Sequence, residues 1–366
     1  MNARQRTLAC LREEPIDRLP VVHFGYWPET LSKWASEGHL SAAEAAAYKD
    51  GNSVDATLCG RLGFDHCWTT AAGADDYLRP PFNAEVVREL SDGSRHLRNP
   101  EGVTELNVPG TTSIAAEIEH LLVDRDSWEN HYKWRLQWSW ERAAHLEKWE
   151  APTQSRPFGL ACGSLIGRIR NMLGIEGLAY LGDDDPELLD EIIDTCAALC
   201  LRAVEETLAR VDGLDFAHFW EDICYNHGPL VNPRFFAVKL VPWYRRITTV
   251  LNDNGINLVS VDCDGCIDTL VPLWLEGGVN IMFPVEVGTW NGTVLPWRKK
   301  YGHALKAVGG VRKQVFAEDR GAVDAEIERL RPLIDLGGYI PCPDHRLPPD
   351  AKWDLLRYYT DRLKAL

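Results

Sequence analysis

Two aspartates separated by one residue are the most suggestive chemical feature of this 366-residue sequence. Asp262 and Asp264 follow the apolar run 256–262, with Cys263 between them. Side chains two apart on extended backbone point to the same side, so both carboxylates should project into one space. Such a pair can bind a metal ion, transfer a proton or stabilise positive charge on a substrate.

Two adjacent carboxylates, Glu221 and Asp222, end the run 214–220. Neighbouring carboxylates repel each other unless one is protonated, bound to a metal or turned away. We predict that Glu221 is a general acid or a metal ligand. In the alternative, Glu221 pairs with Arg312 and Asp222 caps the following turn.

The segment PDHRLPPD, residues 343–350, places an acid beside a histidine in a proline-rich loop. Prolines restrict the backbone, so Asp344 and His345 should be presented in a defined geometry. An Asp-His pair can tune an imidazole for proton transfer or for metal binding. In the alternative, Asp344 holds the loop through hydrogen bonds to the backbone.

Almost every predicted strand ends in a polar, ionisable or aromatic residue, and several of these should line one pocket. The predicted catalytic residues are Glu221, Asp262, Asp264 and His345. The predicted substrate-binding residues are His23, Tyr26, Trp68, His218, Trp220, Tyr225, Glu286, Arg312 and Asp344.

The elements that position these residues alternate between short apolar runs and amphipathic stretches. Predicted strands cover 19–27, 64–70, 157–163, 214–220, 256–262, 279–286, 304–310 and 339–345. Predicted helices include 233–253, 267–276, one from about 295, 322–335 and 350–365. Strands separated by single helices imply parallel crossovers, and eight of them predict an α/β fold, a (β/α)8 TIM barrel. In this fold the chemistry lies at the carboxyl ends of the strands.

A long stretch between the second and third predicted strands does not fit the repeat. Residues 74–150 contain turn signals at Asp92-Gly93 and at Pro100-Glu101-Gly102. Such turns favour antiparallel hairpins. We predict a single domain, 1–366, with an antiparallel β insertion at approximately 74–150.

Composition excludes several classes of protein. The formal net charge is −15 without a basic stripe, so nucleic-acid binding is not expected. No apolar run approaches the ~20 residues of a membrane helix, and the N-terminus lacks the apolar core of a secretory signal. We predict a cytoplasmic protein whose 10 cysteines are mostly small buried apolar residues. The sequence leaves open whether the protein is a homodimer.

Four segments resemble the uroporphyrinogen decarboxylase / cobalamin-dependent methyltransferase superfamily. They are RTLACLREEPIDRLPVVHFGYWPE, VDCDGCIDTLVPLWLEGGVNIMFPVEV, AVGGVRK and GGYIPCPDHRLPPD. The resemblance covers the whole chain and implies the barrel fold. It covers both decarboxylases and methyltransferases, so it constrains the reaction less.

This chain differs from the family's motifs at several positions, and the differences bear on which branch of the family it resembles. The decarboxylases carry an Arg-rich segment at the first strand that grips substrate carboxylates, whereas this chain has VVHFGYWPE. The thiol-directed methyltransferases carry a zinc site of the form H-x-C with a distant Cys. The resemblance places these ligands on Asp262, Asp264 and Cys342, so D-x-D replaces H-x-C. The implied metal set, with Zn²⁺ as the candidate ion, is Glu221, Asp262, Asp264, Cys342 and His345. Cys263 and Cys266 offer a second two-ligand spacing, or are packing residues.

The resemblance therefore implies a methyltransferase that demethylates a small O-, N- or S-methyl compound. The chain has no D-x-H-x-x-G cobalamin signature, so a separate corrinoid protein is the expected methyl acceptor. The first alternative is a decarboxylase or other lyase of a small carboxylated substrate, with Arg312 receiving a carboxylate. The second alternative is a non-catalytic ligand-binding barrel.

Overall fold

The structure, a computed structural model, describes residues 1–109, 115–148 and 155–366. Residues 110–114 and 149–150 of the predicted insertion lie outside the described residues. Among the described helices, none combines the length and the apolar character that a membrane crossing requires.

Parallel strands form the centre of the molecule, and all of them except the two-residue strand Ala71–Ala72 overlap the predicted apolar runs. They are β1 (Val22–His23), β2 (His66–Cys67), β3 (Ala71–Ala72), β8 (Gly159–Ala161), β9 (Phe216–Trp220), β12 (Val259–Asp262), β13 (Ile281–Phe283), β14 (Lys306–Val311) and β15 (Tyr339–Pro343). Seven of them form one sheet in the order β15-β14-β13-β12-β9-β8-β3, and β1 pairs with β2. A parallel bridge between Tyr26 and Leu347 joins the segments that follow β1 and β15.

The strand side chains divide between two apolar clusters, as the alternation of strand residues requires. One face packs against the helices. The other face forms a separate inner cluster that contains Val22, Phe24, Trp68, Phe216, Leu258, Ile281, Phe283, Val308, Ile340 and Cys342. Alternate residues along β9 and β12 therefore point inward, and the residues between them point toward the helices.

Helices cover the outer face of the sheet. They are α1 (Ala3–Leu11), α2 (Pro28–Ser36), α3 (Ala42–Ala47), α4 (Ser53–Leu62), α5 (Arg125–Ser127), α6 (Gly167–Asp184), α7 (Pro186–Leu208), α8 (Pro233–Lys239), α9 (Val241–Asp253), α10 (Val271–Glu276), α11 (Leu295–Tyr301), α12 (Arg320–Ile334) and α13 (Trp353–Lys364). The single helix predicted over 233–253 is wrong: the helix breaks at Leu240. Pro242 lacks an N–H and clashes with the preceding turn, so it begins α9 instead of continuing α8.

A four-stranded antiparallel sheet lies between β3 and β8. Its strands are β4 (Glu85–Glu89), β5 (Arg95–Arg98), β6 (Val103–Asn107) and β7 (Ala116–His120), in sequential order. Gly93 and Gly102, both with φ of 85°, lie in the turns that the sequence signals predicted. The last residue of β7, His120, contacts Gly174, where α6 is kinked. The remaining short β pair is β10 (Cys224–Tyr225) with β11 (Gly228–Pro229).

Candidate active site at the carboxyl ends of the strands

Three inward-facing side chains form a row across adjacent strands. Asp262 is in register with Trp220 on β9 and with Phe283 on β13. Register partners in a parallel sheet point to the same face, so the carboxylate lies between two aromatic side chains. Phe283 also contacts Phe24, with ring centroids 4.6 Å apart, and His218, at 6.0 Å.

The Asp262 carboxylate is buried without a hydrogen-bond donor from the described residues. Its exposure is 7%, and the nearest charges include the carboxylates of Asp264 and Asp222. Burial and these like charges raise the pKa of Asp262 well above its usual range, against the opposing charge of Arg346. A buried acid without a partner is costly, and such groups mark functional sites.

Asp264 and His345, two of the predicted catalytic residues, lie close together. The Asp264 Oδ2 atom lies 3.4 Å from His345 Nε2. Asp264 Oδ1 and His345 Nδ1 are buried and have no hydrogen-bond partner within the described chain. Trp27 stacks on the imidazole at 5.7 Å, and Phe24 approaches it edge-on at 5.6 Å. The pair therefore retains one free acceptor and one free ring nitrogen.

Two further carboxylates surround this pair. Glu286 accepts hydrogen bonds from the backbone N–H of Gly265 at 2.7 Å and from the Thr289 hydroxyl at 2.8 Å. Burial and the charge of Asp264 nevertheless raise the pKa of Glu286. Asp222 has a positive φ of 44°, and its carboxylate accepts a hydrogen bond from Arg170 at 3.1 Å. Its pKa is also raised, by burial and then by Asp264.

Arg346 is a site residue that the sequence analysis did not select. Its guanidinium binds Asp50 and lies 5.8 Å from the centroid of the Phe24 ring. It also lines a groove of about 760 Å³, together with Trp27 and Tyr48. The motif PDHRLPPD contained the only signal, a cation directly after His345. Its partner Asp50 is nearly 300 positions away, so local sequence gave no reason to prefer it.

Glu221 occupies a different environment from the one expected of a ligand or general acid. Trp220 points inward, so Glu221 points toward the helices, where it is fully buried. Its carboxylate accepts hydrogen bonds from Ser164 Oγ and from the backbone N–H groups of residues 165–167, at 2.9–3.0 Å. Tyr244 donates to it at 2.5 Å. These bonds occupy both oxygens and cap the start of α6. The alternative partner, Arg312, is elsewhere.

Asp344 and Arg312 also serve the framework. Asp344 accepts from the backbone N–H groups of Val287 at 2.9 Å, Gly288 at 3.1 Å and Lys313 at 3.0 Å. This arrangement matches the loop-holding alternative. Arg312 lies 3.8 Å from Glu326, and 45% of its side chain is exposed. It therefore faces a helix carboxylate and not the row around Asp262.

His23 lies behind the inner face. Its Nε2 atom is 3.2 Å from Asp55 Oδ1 and 3.2 Å from Cys59 Sγ, and all three residues are buried. The ring stacks on Tyr26, whose buried hydroxyl has no partner among the described residues. His23 thus packs against α4, whereas Tyr26 also contacts Trp34 and lines the groove beside Arg346.

The predicted metal set is not brought together. Glu221 caps α6, and Cys342 belongs to the inner apolar cluster. Among the described residues, one group of three brings its possible ligand atoms within 4.8 Å of one another. This group consists of His23, Asp55 and Cys67. The Gly25 N–H donates to His23 Nδ1 at 2.9 Å, so the neutral ring carries its proton on Nε2. Metal-binding histidines donate from their second nitrogen, so this group does not fit a metal.

The other predicted residues fall into three environments. Trp68 is buried in the inner cluster and stacks on Phe216 at 4.8 Å. Tyr225 is 69% exposed on β10. His218 faces inward beside Ser260, and the described residues offer no partner to His218 Nδ1 or Ser260 Oγ. Burial lowers the pKa of His218 to about 4, so this imidazole is neutral. Nine cysteines are buried and Cys266 is half-buried, as the sequence predicted for most of them.

Comparison with known proteins defines the fold and no more. No family model and no curated protein matches the chain. A methyltransferase from Methanosarcina mazei is similar over 100% of this chain and 99% of its own, with a TM-score of 0.61 and 13% identity. A putative vitamin-B12-independent methionine synthase from Listeria monocytogenes is similar over 94% and 96%, with a TM-score of 0.44 and 12% identity. The first likeness establishes a shared fold.

Proposed function

We propose that this protein is a methyltransferase that removes a methyl group from a small O-, N- or S-methyl compound. The acceptor is the corrinoid of a separate protein. The observation that supports the proposal is the group at the strand ends, where a buried Asp262 without donors lies near the Asp264–His345 pair. The shared fold with a methyltransferase is consistent with it. We further propose that β1–β3, β8, β9 and β12–β15 close into a (β/α)8 barrel, in which β2 and β3 are two parts of one interrupted strand.

In this proposal the chain positions the donor and assists departure of its heteroatom. The corrinoid supplies the methyl-accepting atom. Trp220 and Phe283 hold the donor against Asp262, which lies where the strands end. His345, oriented by Asp264, is placed to donate a hydrogen bond from Nδ1 to a leaving oxygen or sulfur when both ring nitrogens carry a proton. Orientation and leaving-group assistance are the contributions that a protein makes to such a transfer.

Zinc is not part of this proposal. The residues that the resemblance assigns to it do not converge, so no step is routed through a metal. The lyase alternative also loses its carboxylate-binding group, because Arg312 pairs with Glu326. A carboxylated substrate would meet Asp222, Asp262, Asp264 and Glu286 at the strand ends, where Arg170 and Arg346 are already paired with Asp222 and Asp50.

The test is methyl transfer to free cobalamin in its reduced state, followed by absorbance. Purified protein is assayed with a panel of methyl ethers, methylamines and thioethers. A donor that supports transfer should lose about 10²–10⁴-fold in rate in Asp264→Asn or His345→Asn, if the pair acts as proposed. The matched control is His131→Asn, an exposed histidine outside the site. Absence of transfer from every donor class, to free cobalamin and to corrinoid proteins alike, contradicts the proposal.

A further inference from the structure

The row Trp220–Asp262–Phe283 has the composition of a site for an organic cation. An acid lies between two aromatic side chains, in register on three adjacent strands. The faces of aromatic rings attract cations, and desolvation strengthens the attraction. Phe283 is fully buried, and only 7% of Asp262 is exposed. A cation bound here would therefore be largely removed from water.

The charges around the row are unbalanced. Asp222, Asp264 and Glu286 act on Asp262 with the same sign, and Arg346 opposes them. Arg346 is engaged by Asp50, and Arg170 by Asp222. With Asp50 and Asp262 included, five carboxylates face two arginines and the imidazole of His345, so negative groups remain in excess. An additional positive charge is the missing complement, because buried charges in proteins are paired.

The missing cation need not be a metal. No three ligand atoms of this acidic group lie within 4.8 Å of one another in the chain as described. A metal ion needs several ligand atoms at 2.0–2.6 Å, and it gains little from an aromatic wall. A methylated ammonium ion makes no directional demand on its carboxylates, because its charge is spread over the methyl groups. The widely spaced acids and aromatic flanks suit it.

We propose that the methyl donor is a methylated ammonium compound, held by its cationic head on Trp220, Asp262 and Phe283. This inference rests on the proposed function and names its substrate class. In the transfer the bond between nitrogen and the methyl carbon breaks, and its electron pair stays on nitrogen. The methyl carbon bonds to the reduced cobalt of the corrinoid acceptor. A quaternary donor leaves as a neutral amine, so this step needs no proton.

Calorimetric binding on the whole chain, without any corrinoid, tests the inference separately from catalysis. The probes are choline and its uncharged isostere, in which carbon replaces the nitrogen. Choline should bind at least about tenfold more tightly than the isostere, because the charge itself is recognised. Asp262→Asn should abolish that preference. Trp220→Leu should weaken choline binding about threefold to tenfold, while Trp220→Phe retains it.

The control is Asp253→Asn, an exposed aspartate at the end of α9, which should bind choline as the wild type does. Equal affinity for choline and the isostere, or choline binding that Asp262→Asn leaves intact, overturns the inference. Methyl transfer from a neutral ether together with no choline binding also overturns it, and leaves the proposed function standing. Charge-selective choline binding without any methyl transfer overturns the proposed function, and with it the assignment of the bound cation as a methyl donor.

Discussion

Buried carboxylates occur in two regions of this molecule, and they differ in what surrounds them. Glu221 accepts five hydrogen bonds and Asp344 accepts three, from backbone N–H groups and side chains. The described residues donate no hydrogen bond to the Asp262 carboxylate, and Asp264 has one buried oxygen without a partner. The difference lies in the donors around each acid. The framework satisfies Glu221 and Asp344, whereas Asp262 and Asp264 remain available to a ligand.

The largest effect should come from removing the most completely bonded acid. Glu221→Ala leaves Ser164, Tyr244 and three backbone N–H groups without an acceptor, which should cost about 3–5 kcal/mol of unfolding free energy. Urea denaturation measures this. The control Glu205→Ala removes an exposed glutamate of α7 and should change stability by less than about 0.5 kcal/mol. Equal effects of the two variants would contradict the assignment of Glu221 to the framework.

A milder version of the same test is Asp344→Asn. The amide keeps one oxygen but turns an N–H₂ group toward backbone donors of Val287, Gly288 or Lys313. We expect a loss of about 1–3 kcal/mol from a buried donor without an acceptor. If Asp344→Asn instead impaired methyl transfer with stability unchanged, Asp344 would belong to the site.

Replacing Asp262, which has no donor from the described residues, should raise the free energy of unfolding instead of lowering it. Asp262→Asn should increase the unfolding free energy near neutral pH by about 1–2 kcal/mol, because it removes a buried like charge. The raised pKa means that the folded wild type binds the proton more tightly than the unfolded chain does. Wild-type stability therefore falls as pH rises from about 4 toward the folded pKa, and the advantage of the variant grows over that range.

Measurement of this difference uses urea titrations of both proteins across pH 4–8. The charged neighbours of Asp262, which are Asp264, Asp222, Glu286 and Arg346, are present in both proteins, so subtracting the two profiles reduces their contribution. A destabilised Asp262→Asn protein would show that this aspartate belongs with Glu221, and it would weaken the comparison between the two regions.

The smallest expected effect concerns metal. His23 uses Nδ1 as an acceptor, so the group His23, Asp55 and Cys67 should not gain stability from zinc. Added zinc, or a chelator, should shift Tm by less than about 1 °C, since only a ligand that binds the folded state stabilises it. Thermal unfolding with near-stoichiometric metal analysis measures both quantities. A zinc-dependent rise that Cys67→Ser abolishes would place a metal there.

Sequence predicted most of the strands because their apolar runs are local, and it placed Asp264 and His345 at strand ends without predicting that they pair. The alternation of side chains along β9 would also have predicted the direction of Glu221 correctly. Phe216, His218 and Trp220 share one face, so the next residue had to face the helices. Arg346 could not be found this way, because its place depends on Asp50 across a long stretch of chain. The helix break at Leu240 could have been predicted from Pro242, because proline does not continue a helix.

The kink of α6 gives the molecule a mechanical link. Its first turn is held by Glu221, adjacent to the strand residue Trp220, and its kink at Gly174 is touched by His120 of the antiparallel sheet. A Cβ atom at Gly167 would lie 1.8 Å from the Glu221 carbonyl oxygen, so helix and strand leave each other no slack. The part of α6 between Gly167 and Gly174 therefore connects the antiparallel sheet directly to Glu221, the residue that follows Trp220.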